Sequence, residues 1–170
     1  MKDGLTTAGY CGLFCESCAA YIGTTQEPER LGQMAKRFGR TAEKIRCRGC
    51  CSDTLSFYCA VCAMKSCIER KGLDFCSECG DYPCGALRDF QAQAPHRLEL
   101  FESLEYAKAH GVDRWREKMK RNYACAECGT VNAVYQSSCR RCGAVPPNEF
   151  VRRNGKMILE AMLRTDPGAK

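Results

Sequence analysis

The sequence contains very little histidine and no long apolar run, and both shortages exclude whole classes of protein. Only two of its 170 residues are histidines, His96 and His110. They are distant in sequence from any cysteine pair, so we interpret them as surface or helix-terminal residues, and no Ser-His-Asp arrangement, phosphate-binding loop or H-E-x-x-H motif is present. No apolar stretch approaches the ~20 residues that span a bilayer, and the first ten residues, MKDGLTTAGY, lack the apolar core of a secretory signal. We therefore expect a cytoplasmic protein with no membrane span.

Cysteine, by contrast, is abundant, with 16 in the chain. At this density disulfides or bound metals, rather than a hydrophobic core alone, cross-link a fold. Thiols stay reduced in the cytoplasm, where paired cysteines bind metal more often than they form disulfides. The composition therefore predicts a metal-binding protein, with Zn²⁺ at several sites as the first expectation.

The first three cysteines have a spacing that suggests more than one kind of site. The stretch YCGLFCESC places Cys11, Cys15 and Cys18 in a C-x3-C-x2-C pattern. Radical S-adenosylmethionine enzymes use this spacing to hold a [4Fe–4S] cluster with one open iron. Such enzymes surround the cluster with a large barrel, and full (β/α)8 barrels run to ~250 residues, whereas this chain has no alternating βα pattern. We interpret the motif as one corner of a structural metal site, with an iron–sulfur cluster at the N-terminal cysteines as the alternative.

Nine further cysteines follow between residues 47 and 84. The form aromatic-C-x2-C-x4-C occurs twice, offset by 17 residues, which suggests two equivalent metal corners. The third cysteine of each copy, Cys67 or Cys84, leads into a helix-competent segment, where helix N–H groups would stabilise a thiolate. Cys51 directly follows Cys50, and since adjacent cysteines rarely both reach one ion, we treat Cys51 as a possible reactive thiol instead. The candidate ligands are Cys11, Cys15, Cys18, Cys47, Cys50, Cys59, Cys62, Cys67, Cys76, Cys79 and Cys84.

Eleven candidate ligands make two four-cysteine sites with three cysteines left over. Spacing alone does not assign the partners, so the grouping stays open at this level. The three left-over cysteines could form an open iron–sulfur site.

The most specific signal lies near the C-terminus, in the pattern C-x2-C-x10-C-x2-C. Two facing C-x2-C pairs supply the tetrahedron of thiolates that zinc prefers, so the predicted ligands are Cys125, Cys128, Cys139 and Cys142. A glycine follows each pair, at Gly129 and Gly143, where the backbone can turn back with its N–H groups towards sulfur. Because all four ligands are protein thiolates, the site is predicted to be closed and structural rather than catalytic.

Two resemblances follow from these motifs. The C-terminal pattern resembles bacterial zinc ribbons and, with Tyr123 in place of Trp, the Ran-binding-protein type of zinc finger, although the residues that bind ubiquitin or stack on RNA in those fingers are absent here. About residues 8–90, through YCGLFCESC, CRGC and the two repeated copies, resemble the cysteine-rich prokaryotic family called domain of unknown function 3795. That resemblance implies metal binding and no assigned activity, and Cys51 lies outside the shared pattern.

Four segments between and after the cysteine groups predict helices. The segment from Pro28 to Gly39 has apolar residues at i, i+3, i+4 and i+7. Pro28 suits the first turn of a helix and Gly39 suits its end. Residues 95–110 predict a second helix that stops at Gly111. Residues 112–121 predict a third, with Trp115 on its apolar face, and residues 155–164 a last short one.

Together these patterns predict a small, metal-stabilised, loop-rich protein that is mainly α, with short β-hairpin knuckles and a zinc-ribbon C-terminal domain. We expect a cysteine-rich multi-knuckle metal-binding domain at residues 8–92 and a helical linker at 93–122. The zinc ribbon is expected at 123–146, and a C-terminal helix and tail at 147–170.

The net charge of +6 lies wholly in the last third of the chain. Residues 112–170 contain 12 Lys+Arg and 6 Asp+Glu, whereas residues 1–111 contain 14 of each. This asymmetry can indicate an acidic partner such as RNA, although a solvated basic face is the simpler interpretation, because phosphate affinity needs clustered charge.

The leading hypothesis is a zinc-binding, non-enzymatic module that binds an unknown protein or nucleic-acid partner through residues 112–170. The alternatives are an iron–sulfur redox protein, an RNA-binding protein, and an enzyme or metal-handling protein that uses the Cys51 thiol.

Overall fold

The computed structural model describes residues 7–165, and the fold is mainly helical. Short 3-10 turns lie at Cys15–Ser17, Cys76–Glu78 and Pro95–Arg97. The end of the predicted C-terminal tail, from residue 166, lies outside the described residues. The α-helices of the described part are α1 (Ala19–Thr25), α2 (Pro28–Phe38), α3 (Ala42–Ile45), α4 (Phe57–Ala60), α5 (Ala63–Lys71), α6 (Gly85–Ala92), α7 (Leu100–Tyr123) and α8 (Glu149–Thr165).

Helix α2 has the bounds that the sequence predicts. Pro28 occupies its first turn, where the N–H that proline lacks is not needed. Gly39 follows the last helical residue with a φ of 59°, a left-handed conformation that glycine adopts without strain. Leu31 is buried against α1, and a Cβ on Gly23 would lie 3.0 Å from Leu31 Cδ2. The glycine in α1 therefore allows the two helices to approach closely.

Helix α7 consists of two helical segments that meet at Gly111. The φ of 78° and ψ of 168° at Gly111 are not helical, so the predicted stop there is confirmed. The first segment begins at Leu100 rather than at residue 95, because residues 95–97 form a separate 3-10 turn. After the break, Trp115 is completely buried, and its Nε1–H donates a hydrogen bond of 2.8 Å to Ser103 Oγ in the first segment.

Ser103 also connects α7 to the first cysteine loop. Its hydroxyl donates a hydrogen bond of 2.6 Å to the carbonyl oxygen of Gly12. Gly12 has a φ of 84°, and a Cβ at this position would lie 2.7 Å from Leu104 Cγ. The glycine of YCGLFC therefore lets the loop lie directly on α7.

An aromatic cluster lies where the cysteine loop, α7 and α8 meet. The Phe14 ring stacks on Tyr123 at a centroid distance of 5.9 Å and contacts the edge of Trp115 at 6.0 Å. Tyr123 stacks in turn on Phe150 of α8 at 5.2 Å. A second, smaller apolar cluster beside it contains Ala20, Leu31, Ile45 and Cys47. The aromatic cluster contains one residue from each of the four predicted domains, 8–92, 93–122, 123–146 and 147–170.

Helix α8 begins at Glu149, earlier than the predicted residue 155. The side chain of Asn148 accounts for the difference, since its Oδ1 accepts a hydrogen bond of 2.8 Å from the N–H of Val151. This is the contact by which a residue caps a helix N-terminus.

Extended backbone is scarce within residues 7–165. Two isolated antiparallel bridges, Ala8 with Phe14 and Ala124 with Val131, are the β-structure of this described part. Of the helices within the same residues, none combines the length and the apolar character needed to cross a bilayer.

Candidate metal centres

The C-terminal cysteines lie on two turns that repeat the same backbone pattern. In the first turn Cys125 N–H donates to Thr130 O at 2.9 Å and Gly129 N–H donates to Cys125 O at 2.9 Å. In the second turn the corresponding bonds are Cys139 N–H to Ala144 O at 2.8 Å and Gly143 N–H to Cys139 O at 2.9 Å. The φ angles of the two glycines are 70° and 77°, so each turn requires the left-handed conformation that glycine supplies.

The two turns bring their four sulfurs into one compact group, which we call the C-terminal quartet (Cys125, Cys128, Cys139 and Cys142). All four sulfurs lie within 4.8 Å of one another. Cys125 Sγ is 3.7 Å from Cys142 Sγ, and Cys128 Sγ is 3.6 Å from Cys139 Sγ. Metal–sulfur bonds of about 2.3 Å place the thiolates of a tetrahedral site about 3.8 Å apart. The quartet therefore fits one tetrahedral ion, and its separations are too long for a disulfide.

Polar groups favour the thiolate form of two quartet cysteines. At Cys142 a hydrogen bond from the Ala144 backbone lowers the pKa, but the other quartet thiols help to raise it to about 12. Burial opposes ionisation of Cys139, but N–H groups of Cys142 and Arg141 and the side chain of Asn132 more than offset it and lower the pKa of Cys139 to about 6. The hydroxyl of Thr130, 3.4 Å from Cys128 Sγ, lowers the pKa of Cys128. Thiolates are the form that binds a metal ion.

Asn132 is fully buried behind the quartet and holds its two turns together. Its Nδ2 group donates to Thr130 O at 2.8 Å and to Pro147 O at 3.0 Å, and lies 3.5 Å from Cys139 Sγ. Its Oδ1 accepts from the N–H of Arg140 at 2.9 Å. Every polar group of this buried amide is thereby satisfied, and one side chain links both turns to the segment before α8.

Arg140, between two quartet cysteines, joins the quartet to the N-terminal half of the chain. Its Nη1 forms an ion pair of 2.7 Å with Glu27 Oε1, and its Nη2 donates to Gln26 Oε1. Its Nε donates to Val131 O at 2.9 Å. The side chains of Arg140 and Glu27 are only 13% and 19% exposed. Sequence reasoning missed this contact, because no local pattern relates residue 140 to residue 27.

The twelve other cysteines, between residues 11 and 84, are arranged more loosely. We call them the N-terminal cysteines. Among the residues that the structure describes, no three of them bring their sulfurs within 4.8 Å of one another, and none forms a disulfide. Burial raises the pKa of several of these thiols, among them Cys11, Cys50 and Cys76, each to about 12. A metal ion would therefore have to displace protons from them.

Cys15, Cys18, Cys47 and Cys59 lie near one another. Burial raises the pKa of Cys15 and of Cys18, and the nearby Cys47 thiol contributes to both shifts. Cys47 forms a hydrogen bond with the thiol of Cys59, which is the main cause of the lowering of its pKa to about 6. Tyr58, next to Cys59, places its hydroxyl 3.6 Å from Cys18 Sγ.

Cys67, Cys76, Cys79 and Cys84 form a second neighbourhood. Burial raises the pKa of Cys76, and the Cys84, Cys67, Cys79 and Cys62 thiols raise it further. Lys71 Nζ donates to Cys79 Sγ at 2.9 Å and to Asp81 Oδ2 at 2.7 Å. The segment that follows Cys67 is helical, as expected, but the expected place of Cys67 at a helix N-terminus is wrong, since α5 begins directly after Cys62 and contains Cys67 in its interior. Cys84 does precede a helix, α6.

Cys11, Cys50 and Cys62 form a third neighbourhood. Burial raises the pKa of Cys50, and Cys11, Cys51 and Cys62 are the thiols that raise it further. The Tyr10 hydroxyl donates a hydrogen bond of 3.4 Å to Glu69 Oε1. Burial raises the pKa of Tyr10, and the neighbouring Cys51 thiol raises it further. In the first copy of the sequence repeat, Cys59 lies near Cys47 and Cys18, whereas Cys62 lies near Cys11 and Cys50.

The two histidines lie outside these groups. His96 Nδ1 is 2.6 Å from the hydroxyl of Tyr135, and burial lowers the pKa of His96 to about 4. His110 contacts the ring of Tyr106 at a centroid distance of 4.2 Å.

Comparison with known proteins bears on the N-terminal half of the chain. Residues 7–89 match the family described as protein of unknown function, DUF3795. No curated protein and no solved structure matches the chain. The family match includes all twelve N-terminal cysteines and excludes the C-terminal quartet.

Proposed function

We propose, from the premise that residues 7–89 belong to the DUF3795 family, that this protein is a zinc-stabilised interaction module and not an enzyme. The observation that carries the proposal is the C-terminal quartet, whose sulfurs lie 3.6 and 3.7 Å apart in two pairs. Four protein thiolates complete the coordination of a tetrahedral ion and leave no position for a substrate, as in structural zinc sites.

The spacing of the quartet supports zinc over an iron–sulfur cluster at this site. A polynuclear cluster places several iron and sulfide atoms between its cysteines, so the cysteine sulfurs would be further apart than those of a single ion. In our proposal residues 123–146 form a zinc ribbon, with the two glycine turns as its knuckles. The repeated N–H and carbonyl bonds of these turns support that assignment.

We place the partner-binding surface on α8. Its exposed side chains include three large apolar ones, Met157, Leu159 and Leu163, which are 48%, 59% and 59% exposed. Arg152 and Lys156 are exposed on the same helix. A helix that shows both apolar and basic side chains suits a macromolecular partner with a mixed apolar and acidic surface.

RNA binding has less support than protein binding. Among the basic residues of the last third whose side chains the structure describes, five form ion pairs with acids of this chain, namely Arg116, Lys118, Arg140, Arg152 and Arg153. Ala133 stands where RNA-binding fingers of the Ran-binding-protein type carry a stacking tryptophan, and it is buried. The RNA hypothesis predicts salt-dependent binding to mixed RNA at low ionic strength. The absence of such binding would contradict the hypothesis.

The iron–sulfur hypothesis is retained as a second candidate for the N-terminal cysteines. Its specific support is their wider spacing, since no three of these sulfurs in the described residues come within 4.8 Å of one another. Wider spacing is what a polynuclear cluster needs.

Elemental analysis with a visible spectrum, on protein purified without oxygen, tests the proposal. We expect zinc at the quartet, so Cys128→Ser should remove one equivalent of zinc while the matched control Cys51→Ser retains it. Iron and sulfide that disappear in Cys128→Ser would contradict a zinc site at the quartet. Iron and sulfide that persist in Cys128→Ser would instead assign a cluster to the N-terminal cysteines.

A further inference from the structure

We propose that a single-stranded nucleic acid binds to the basic surface formed by residues 28–48, which we call the α2–α3 surface. It lies outside residues 112–170, where the charge asymmetry of the sequence placed an RNA contact, and apart from the side chains of α8 that we assign to a protein partner. The inference does not rest on the proposed function, because none of its steps needs a metal ion at any cysteine.

Positive charge is concentrated on the α2–α3 surface. Residues 28–48 contain seven Lys+Arg and two Asp+Glu, a net charge of +5 over 21 residues. The acids that balance this charge within residues 1–111 lie in other parts of the chain. Affinity for phosphate needs clustered charge, and this short segment meets that need better than residues 112–170, where a net charge of +6 is spread over 59 residues.

Most of this charge is available to an external ligand. Arg30 is paired with Glu27. The other six basic side chains of the segment are exposed and form no ion pair with the residues that the structure describes, namely Lys36, Arg37, Arg40, Lys44, Arg46 and Arg48. An exposed cation without an internal partner keeps its full attraction for an anionic ligand.

Two of these arginines line the same cleft. Ile45 and Cys47 are buried, whereas Arg46 and Arg48 are exposed, so alternate side chains of this stretch point inward and outward. The N–H of Arg48 donates to Thr54 O at 2.9 Å and fixes the stretch. The cleft has a volume of about 230 Å³, and its wall also includes Thr54 and parts of α1 and α2. A guanidinium group donates in a fork that matches two phosphate oxygens, so two of them on one cleft suit a backbone phosphate.

An exposed aromatic ring lies at the C-terminal end of α2. Phe38, the last residue of the helix, is 45% exposed. Its ring packs against Phe57 at a centroid distance of 5.7 Å, and the guanidinium carbon of Arg40 lies 5.4 Å from the centroid of the same Phe57 ring. Phe57 thus holds a ring and a cation beside one another while part of Phe38 stays open. Unpaired bases stack on such rings, and a neighbouring arginine adds to the attraction.

Helix α2 connects the cleft to this ring. Leu31 lines the cleft, and Phe38 follows it by seven residues. Seven residues are close to two helical turns, so both positions lie on one face of α2, ~10 Å apart along its axis. The exposed Lys36 and Arg37 lie in the last turn of the helix. A strand of a few nucleotides can therefore place a phosphate in the cleft and a base on Phe38.

The composition of the α2–α3 surface favours a nucleic acid over an acidic protein. Within residues 28–48, all of which the structure describes, Phe38 is the only large apolar side chain that is exposed. A protein interface has an apolar centre, which this surface lacks. The bases of a duplex are already stacked on one another, so a ring that stacks on bases selects a single strand.

Fluorescence anisotropy of a labelled single-stranded oligonucleotide of about 12 nucleotides tests the inference, with the full chain over a range of salt concentrations. Arg46→Ala/Arg48→Ala should weaken binding. It should also reduce the slope of log K against log salt concentration by about 1.4, because each phosphate contact on a single strand contributes about 0.7 to that slope. The matched control Arg114→Ala/Arg121→Ala removes two exposed arginines of α7. It should leave the slope unchanged and the affinity almost so.

A substitution of the aromatic ring tests the stacking separately. Phe38→Leu keeps an apolar side chain against Phe57 and removes the ring on which a base stacks, so we expect about a tenfold loss of affinity with no change in the salt slope. The RNA and DNA forms of the oligonucleotide should bind alike, because phosphate contacts and stacking need no 2′-hydroxyl. The corresponding duplex should bind more weakly than the single strand.

Three results would overturn the inference. The first is the absence of salt-dependent binding at low ionic strength. The second is an equal loss of binding in the α7 control, which would assign the attraction to net charge or to the last third of the chain. The third is binding that Phe38→Leu leaves unchanged and that polyglutamate abolishes, which would indicate an acidic protein partner. Zinc content is independent of all three results and tests the proposed function alone.

Discussion

The C-terminal quartet and the N-terminal cysteines present the same ligand type in two different ways. The quartet spans residues 125–142, and its sulfurs lie in one compact group on two short turns. The N-terminal cysteines span residues 11–84, and neighbouring thiols there come from segments far apart in sequence, such as Cys18 and Cys59. The first arrangement is built by local backbone bonds, and the second depends on the packing of helices and aromatic rings around it.

This difference predicts that the two regions respond differently to loss of metal and to loss of core contacts. Residues 123–147 place few large apolar side chains in the core, so the metal ion should supply most of what orders them. The first cysteine loop is instead fixed by Phe14, Gly12 and the Ser103 hydroxyl against α7.

The largest effect should follow from removing a quartet ligand. Cys139→Ser leaves three thiolates, and since structural zinc contributes about 10–16 kcal/mol to the folding of zinc-finger peptides, we expect the segment around residues 123–147 to lose its order. Limited proteolysis and zinc content measure this, with Cys51→Ser as the control. Proteolytic resistance of Cys139→Ser equal to that of the control would show that packing, and not metal, orders this region.

A substitution in the core should affect the N-terminal region without touching a cysteine. Ser103→Ala leaves Trp115 Nε1–H and Gly12 O without their shared partner, and we expect the free energy of unfolding to fall by about 2 kcal/mol. Urea unfolding measures it, with zinc content expected to stay unchanged. Trp115→Phe removes the indole N–H that Ser103→Ala leaves without a partner. The double variant Ser103→Ala/Trp115→Phe should therefore lose less free energy of unfolding than the sum of the two single variants. Strict additivity would contradict the coupling.

The contact between the two regions should have a smaller energy. Arg140→Ala removes the largely buried ion pair with Glu27 and the bond to Val131 O, and we expect the free energy of unfolding to fall by about 1–2 kcal/mol. Arg141→Ala is the matched control, because Arg141 is an exposed neighbour in the same turn. Equal unfolding free energies for the two variants would mean that the regions are not coupled through Arg140.

The smallest effect concerns pH and His96. Burial lowers the pKa of His96 from its ordinary 6.5 to about 4. Between pH 4 and pH 6.5 the unfolded chain therefore binds a proton at His96 that the folded chain does not bind. The neutral imidazole therefore contributes stability that is fully present well above pH 6.5 and is lost as the pH falls towards 4, with at most about 1.4 kcal/mol lost at pH 5.5. Unfolding at pH 7 and 5.5 should show a smaller pH effect in His96→Gln than in wild type. His110→Gln serves as the control, and the same pH effect in both variants would contradict the assignment.

Local signals predicted the elements that depend on local physics. Pro28 and Gly39 delimit α2, and Gly111 interrupts α7, because these residues restrict or free the backbone whatever surrounds them. The start of α8 was predicted too late, although the Asn148 cap is visible in the sequence. The position of Cys67 inside α5 was missed, because the helix begins at the earlier cysteine of the same copy.

The sequence by itself determined the C-terminal quartet, since two C-x2-C-G turns carry within a few residues the hydrogen bonds that bring their sulfurs together. Only the tertiary structure decided which N-terminal cysteines from distant segments lie near one another, such as Cys18 and Cys59. It also decided that Arg140 meets Glu27, a pair distant in sequence. The physical reason is the sequence separation of the interacting residues, because a turn is specified by backbone conformations that its own residues control. A neighbourhood of thiols from four segments is specified only when the helices and rings between them have packed.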